Sequence, residues 1–242
     1  MRVLRLDVYA AGIFFVVLAA ACPGCRKEKT DADQPPPSQG DRQPEPAPID
    51  IELPKPMFKG TPRPVDEPNV EKPLGKPRPP FLAPAGTVNL ARGKGVTASE
   101  VQPVIGELEQ ITDGDKKAED GSFVELGAGA QWVQIDLGQE AEIYAVVVWH
   151  YHAQARVYRD VIVQLSAEPD FIMDVRTVFN NDHDNSALLG VGTDKGYVET
   201  FEGRLIDCRG ATARYVRLYS NGSSADAQNH YIEVEVYGKG VK

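Results

Sequence analysis

Sixteen of the nineteen prolines lie between Pro35 and Pro84. Proline fixes φ and removes a backbone donor, so neither a helix nor an interior strand runs through such a stretch. A packed domain therefore has to come from the residues that follow. Beyond Pro84 only Pro103 and Pro169 remain, in a run of ordinary globular composition.

The N-terminus carries export signals. Arg2 and Arg5 precede the apolar stretch "VYAAGIFFVVLAAAC", which has signal-peptide length and is short for a membrane span. "LAAAC" resembles a bacterial lipobox, with Leu18 four residues before Cys22 where the usual pattern has three. Cys25, after Gly24, is a second candidate, and ordinary cleavage after Ala21 is the alternative. The sequence thus predicts a leader over 1–21 and lipid attachment at Cys22. The mature chain is then exported and held at a membrane of the bacterial cell envelope. Residues 22–55 are expected to be a disordered proline-rich stalk. Residues 56–87 form a proline-rich linker in which Met57, Phe58, Leu74, Phe81 and Leu82 can dock on the domain. Cys208 is the only cysteine outside the leader region, so the domain over 88–242 has no internal disulfide.

From Val88 the pattern is β. "WVQIDLG" alternates, with Val133, Ile135 and Leu137 on one face, and "ARYVRLYS" sets Val216 and Leu218 opposite Tyr215, Arg217 and Tyr219. "RDVIVQLSA" alternates after Asp160. "HYIEVEVYG" is expected to place Ile232, Val234 and Val236 together, opposite Tyr231, Glu233, Glu235 and Tyr237. "EIYAVVVWHY" is a continuous apolar run, as in a strand buried on both faces. Short strands between Gly, Asp and Asn turns, without an amphipathic helix, predict an all-β fold: an antiparallel β-sandwich of jelly-roll type. A formal net charge of -9 argues against nucleic acid and against anionic phospholipid as partners.

The segments "NLARGKGVTAS", "ITDGD", "WVQIDLG", "IYAVVVW", "VIVQLSAEPDF", "ARYVRLYSNG" and "YIEVEVYG", in that order, resemble a discoidin domain (coagulation factor 5/8 C-type, galactose-binding-like) from about Val88 to Gly238. The resemblance implies an eight-stranded sandwich whose loops at one end bind carbohydrate, phospholipid headgroups or protein, and that is rarely catalytic. The sequence departs from the family in two places. The terminal cysteine pair of the animal members is missing, and "FNNDHDNSALLGVGTDKGYVETFEGRLID" is a long insertion.

Three stretches carry candidate site residues. In "ITDGDKKAEDGS", Asp113 and Asp115 flank a glycine and can turn oxygens toward one point, as Ca²⁺ requires. The resemblance implies a structural calcium between this loop and a last-strand glutamate, here Glu233; a plain Asp-Gly turn is the alternative. In "VVVWHYHAQARVYRD", Trp149 and Tyr151 offer aromatic faces, and His150, His152 and Arg156, with Asn185 from the insertion, offer hydrogen-bonding groups suited to a sugar. The same histidines with Asp182, His183 or Asp184 could hold zinc, the basis of a hydrolase alternative. In "SNGSSADAQNHYIEV", Asn229 and His230 can face the same end. No G-x-S-x-G, P-loop or H-E-x-x-H occurs. The expected function is a non-catalytic module that binds glycan, with a subunit of an envelope protein complex as the alternative.

Overall fold

The computed structural model describes residues 45–57 and 67–241; the leader, Cys22 and most of the expected stalk lie outside them. The strands are β1 (Pro46–Pro48), β2 (Leu82–Pro84), β3 (Val88–Asn89), β4 (Val96–Ala98), β5 (Val124–Leu126), β6 (Gln131–Trp149), β7 (Ile162–Ser166), β8 (Arg176–Asn180), β9 (Arg204–Ser220), β10 (Asn229–Tyr231) and β11 (Glu233–Gly240), with a 3-10 turn at Leu108–Thr112. They pair antiparallel. One sheet runs β3-β11-β6-β9-β7-β8 with β4 also on β6, while β5–β10 and β1–β2 pair separately.

Two long strands make this a β-sandwich. β6 has 19 residues and β9 has 17, and their pairing breaks register between Asp136 and Ala141. Both sides of that break feed one core: Val133, Ile135 and Leu137 from the first half of β6, and Ile143, Val146 and Val148 from the second. Val216, Leu218, Val234 and Val236 join them, as the alternation predicts. Cys208 is buried in the same core, and burial pushes its thiol up to about 12, so it is inert at neutral pH.

The last strand departs from the simple alternation. Tyr231 and Val234 lie in the main core, whereas Ile232 lies in a second cluster on the opposite face with Tyr237. The strand is interrupted at Ile232, between β10 and β11, and the one-residue slip flips the faces on either side of it.

The second cluster explains why "AVVVW" has no polar face. Ala145, Val147 and Trp149 point away from the core and would meet solvent in a bare sandwich. Here Ile49, Ile51 and Phe81, from the proline-rich region, cover them. Pro46–Pro48 pairs with Leu82–Pro84, and Ile49 N donates to Phe81 O at 2.9 Å. Beneath this arm, Lys116 Nζ is buried against Glu235 Oε1 at 2.6 Å and Glu52 O at 2.7 Å. So residues 45–55, expected in the stalk, are docked on the domain, and residues 67–84 return along it. Proline forbids interior strands, but it permits a short edge pair and extended segments that donate through their non-proline neighbours.

Candidate ligand-binding site

The end of the sandwich where β6 stops and β9 begins gathers the loops 150–161, 181–203 and 221–228. Trp149 and His150 are fully buried here. Trp149 Nε1 donates to Phe201 O at 2.9 Å. His150 Nδ1 donates to Glu199 Oε1 at 2.7 Å, and its ring stacks on Tyr158 with centroids 4.4 Å apart. His152 Nε2 lies 3.0 Å from Lys116 O. A carbonyl only accepts, so Nε2 carries the proton. Burial lowers the pKa of this imidazole, which leaves Nδ1 a bare acceptor.

The remaining residues expected in the ligand loop serve as struts. Arg156 is buried, with Nη1 3.2 Å from Asp226 Oδ2 and its guanidinium 4.8 Å over the half-buried Tyr151 ring. Asn229 is fully buried: it donates to Gly127 O and Gly129 O and accepts from Ser220 and Gly222. His230 Nε2 donates to Glu125 Oε2 at 3.1 Å, so its Nδ1 accepts the Tyr158 hydroxyl at 2.9 Å. Asn185 Oδ1 accepts the Gly190 amide within the insertion. His150, Arg156 and Asn185 thus each serve a different partner rather than one surface.

The open concavity lies beside them. A cleft of about 590 Å³, within the usual range for small-molecule sites, runs between the arm and the segment Tyr197–Leu205. His152, Tyr197, Glu199 and Arg204 line it on the domain side, with Phe201. Four buried atoms of these residues have no hydrogen-bond partner among the described residues: His152 Nδ1, Tyr197 Oη, Glu199 Oε2 and Arg204 Nε. Arg204 is held flat, 4.7 Å over the Tyr197 ring and 5.2 Å over Phe179. The segment itself is pinned by Glu199 N to Arg156 O at 2.9 Å. Burial and the nearby Glu199 push the Tyr197 phenol well above its usual value, so it stays a neutral donor and acceptor. Tyr197, Glu199, Phe201 and Arg204 escape a motif search. The signal in "YVETFEG" is period-two alternation, with Tyr197 and Glu199 buried and Val198 and Thr200 half-exposed.

At the Asp-Gly loop, Glu233 Oε2 accepts the Gly114 amide at 2.8 Å, and the buried Oε1 has no partner among the described residues. This carboxyl is raised to about 8, chiefly by burial, with Glu235 and Asp113 adding to the rise and the Gly114 hydrogen bond and Lys116 opposing it. A buried carboxylate oxygen without a donor, near a second carboxylate and a turn rich in carbonyls, fits a hard cation. Asp115 is engaged elsewhere: Oδ1 accepts Lys117 N at 3.1 Å and Oδ2 accepts Ser122 Oγ at 3.3 Å. Glu233 and Asp113 therefore fit calcium better than Asp115 does.

Among the described residues, the only set of three His, Cys, Asp or Glu ligand atoms within 4.8 Å of one another is Asp160, Asp182 and Asp184. Asp182 is fully buried but accepts Ser186 N and Ala187 N, and Asp160 accepts Ser186 Oγ and Asn221 Nδ2. These carboxylates hold the insertion together. Asp184 belongs to this set and not to one with His150 and His152, as the zinc alternative requires.

Residues 110–218 match the family model described as F5/8 type C, NedA-like, galactose-binding domain. No curated protein matches the chain. Similar solved structures include the CBM32 of AlyQ in complex with 4,5-unsaturated mannuronic acid, at 19% identity and TM-score 0.44, covering 59% of this chain and 92% of that one. Chitosan-binding module 1 from the chitosanase/glucanase of Paenibacillus sp. IK-5 is 22% identical with TM-score 0.41, covering 62% and 99%. A Streptococcus pneumoniae fucose-binding module, SpX-3, is 17% identical with TM-score 0.43, covering 62% and 97%.

Proposed function

We propose that this chain, whose residues 110–218 match the F5/8 type C, galactose-binding-like model, is a glycan-binding module that holds its ligand without converting it. The supporting observation is the cleft at the loop end, where four buried polar atoms lack partners among the described residues. A buried polar group left unpaired costs roughly 1–3 kcal/mol. Sugar hydroxyls, which donate and accept, can meet that need. Arg204 stacked on Tyr197 presets the guanidinium, so little side-chain entropy is lost on binding.

Calcium is the proposed structural ion, held by Glu233, Asp113 and loop carbonyls; when bound, it would neutralise the buried carboxylate and tie the Asp-Gly loop to β11. Lipid attachment at Cys22, with export to the cell envelope, would place the module at a membrane face. Binding of the purified chain to immobilised glycans tests the function. Saturable binding that Glu199→Gln weakens about tenfold or more, with an unchanged melting temperature, supports it. Absence of binding to every glycan offered refutes it.

A further inference from the structure

The proline-rich arm and the segment between β8 and β9 meet at the cleft. The arm precedes the matched region 110–218, and the segment between β8 and β9 lies within it. In the folded chain they bond directly: Gly196 N donates to Asn69 O at 3.1 Å, and Glu71 N donates to Gly196 O at 2.8 Å. Two side-chain links follow. Arg204 Nη1 meets Glu71 Oε1 at 2.5 Å, and Arg78 Nη1 donates to Gly203 O at 2.8 Å. Leu74 lines the cleft from the arm and stays largely exposed, although a docked apolar side chain would ordinarily be covered.

We propose that the arm is one wall of the glycan site, and that the site selects a sugar rich in hydrogen-bond donors and free of anionic groups, either neutral or amino. This rests on the glycan-binding function above. The selection follows from the directions of the hydrogen bonds already made. His152 Nδ1 is a bare acceptor, because Nε2 donates to Lys116 O. Glu199 Oε2 is a second acceptor, because Oε1 already takes the His150 proton. Tyr197 can donate or accept. Arg204 Nε–H is the one dedicated donor among the four, and its guanidinium is already paired with Glu71. A ligand must therefore supply donors to at least two buried lone-pair sites. Hydroxyls, amides and ammonium groups do so. A carboxylate, sulfate or phosphate brings more lone pairs and a like charge against the buried Glu199. Lys76 lies at the exposed rim, where solvent weakens its pull on an anion.

The test uses the chain from Cys22 onward and a panel of immobilised glycans in three classes: neutral, amino-substituted, and anionic (uronate, sulfate or phosphate). Binding to neutral or amino glycans and not to anionic ones is expected, and amino-only binding would identify the donor as ammonium. Tyr197→Phe removes a hydroxyl whose nearest polar neighbour is Glu199, so it should change melting little while weakening the tightest-binding panel glycan about tenfold. That glycan should also slow amide exchange in residues 71–78 together with 197–205. Preference for anionic glycans, or affinity unchanged in Tyr197→Phe, overturns the selectivity. Protection of 197–205 alone overturns the role of the arm. Either result leaves glycan binding standing, whereas no binding to any class removes both.

Discussion

The indole Nε1 of Trp149 donates to the carbonyl of Phe201 at 2.9 Å, so the last residue of β6 holds the wall of the cleft. The same ring packs under the arm and carries Lys116 Nζ 5.0 Å from its centroid. A Cβ at Gly203 would lie 2.6 Å from the indole, which leaves this approach open only to glycine. Trp149→Ala should cost about 3–5 kcal/mol of stability, as truncating a buried tryptophan does, and weaken glycan binding in whatever fraction stays folded. Trp149→Phe keeps most of the packing and should cost roughly 1 kcal/mol, mainly through the lost hydrogen bond. Chemical denaturation of both variants checks this.

Arg156→Ala should behave as a scaffold mutation. The side chain is buried, bonded to Asp226 and stacked on Tyr151, outside the residues that line the cleft. Its loss should lower stability by roughly 1.5–3 kcal/mol and leave the affinity of the folded protein unchanged. Paired melting and binding measurements distinguish this from a role in ligand contact.

Glu233 sets a pH dependence that calcium should erase. The carboxyl titrates near 8 in the folded chain against an ordinary 4.5. Between those values the folded state holds a proton that the unfolded state has released, so metal-free stability falls as pH rises through the window. The full effect approaches roughly 5 kcal/mol, at about 1.4 kcal/mol per pKa unit. In chelator, the melting temperature should fall from pH 5 to pH 8. Added calcium should restore it at pH 8, and Glu233→Gln should flatten the profile and remove the calcium response. A metal-free profile that rises over that range would contradict the assignment.

Removing the arm should damage the domain. A chain beginning at Val88 exposes Ala145, Val147, Trp149, Ile232 and Tyr237 and opens the buried Lys116–Glu235 pair to water. It loses three half-buried apolar side chains, Ile49, Ile51 and Phe81. At ~1.5–3 kcal/mol for each fully buried side chain, a loss of a few kcal/mol is expected. Increased aggregation should follow from the uncovered apolar face. Melting and light scattering of the shortened and full chains measure both effects.

Much of the fold is legible in the sequence. Period-two alternation marks Val133, Ile135, Leu137, Val216 and Leu218 as core, because each sits on a strand with one polar face. The run "AVVVW" shows a strand buried on both sides but gives no sign of what covers it. The cover is a proline-rich segment, whose composition reads as unfolded when taken alone. The slip at Ile232 is likewise invisible, since a single residue between two strands leaves no compositional trace. At the loop end, the density of His, Arg and aromatic residues in "VVVWHYHAQARVYRD" points to chemistry, but those polar groups satisfy one another. The cleft residues Tyr197, Glu199 and Arg204 lie in a plain stretch of the insertion and gain their character from the arm folded against them.

The central claim, that the cleft beneath the arm binds glycan, is tested most directly by calorimetric titration of the tightest-binding panel glycan into the wild-type chain and Glu199→Gln. The substitution retains an oxygen to accept the His150 proton and replaces the free acceptor with a donor, so folding should be preserved. The account predicts a loss of about tenfold or more in affinity with an unchanged melting curve. Equal affinity for the two chains would contradict it and place the binding surface elsewhere on the domain.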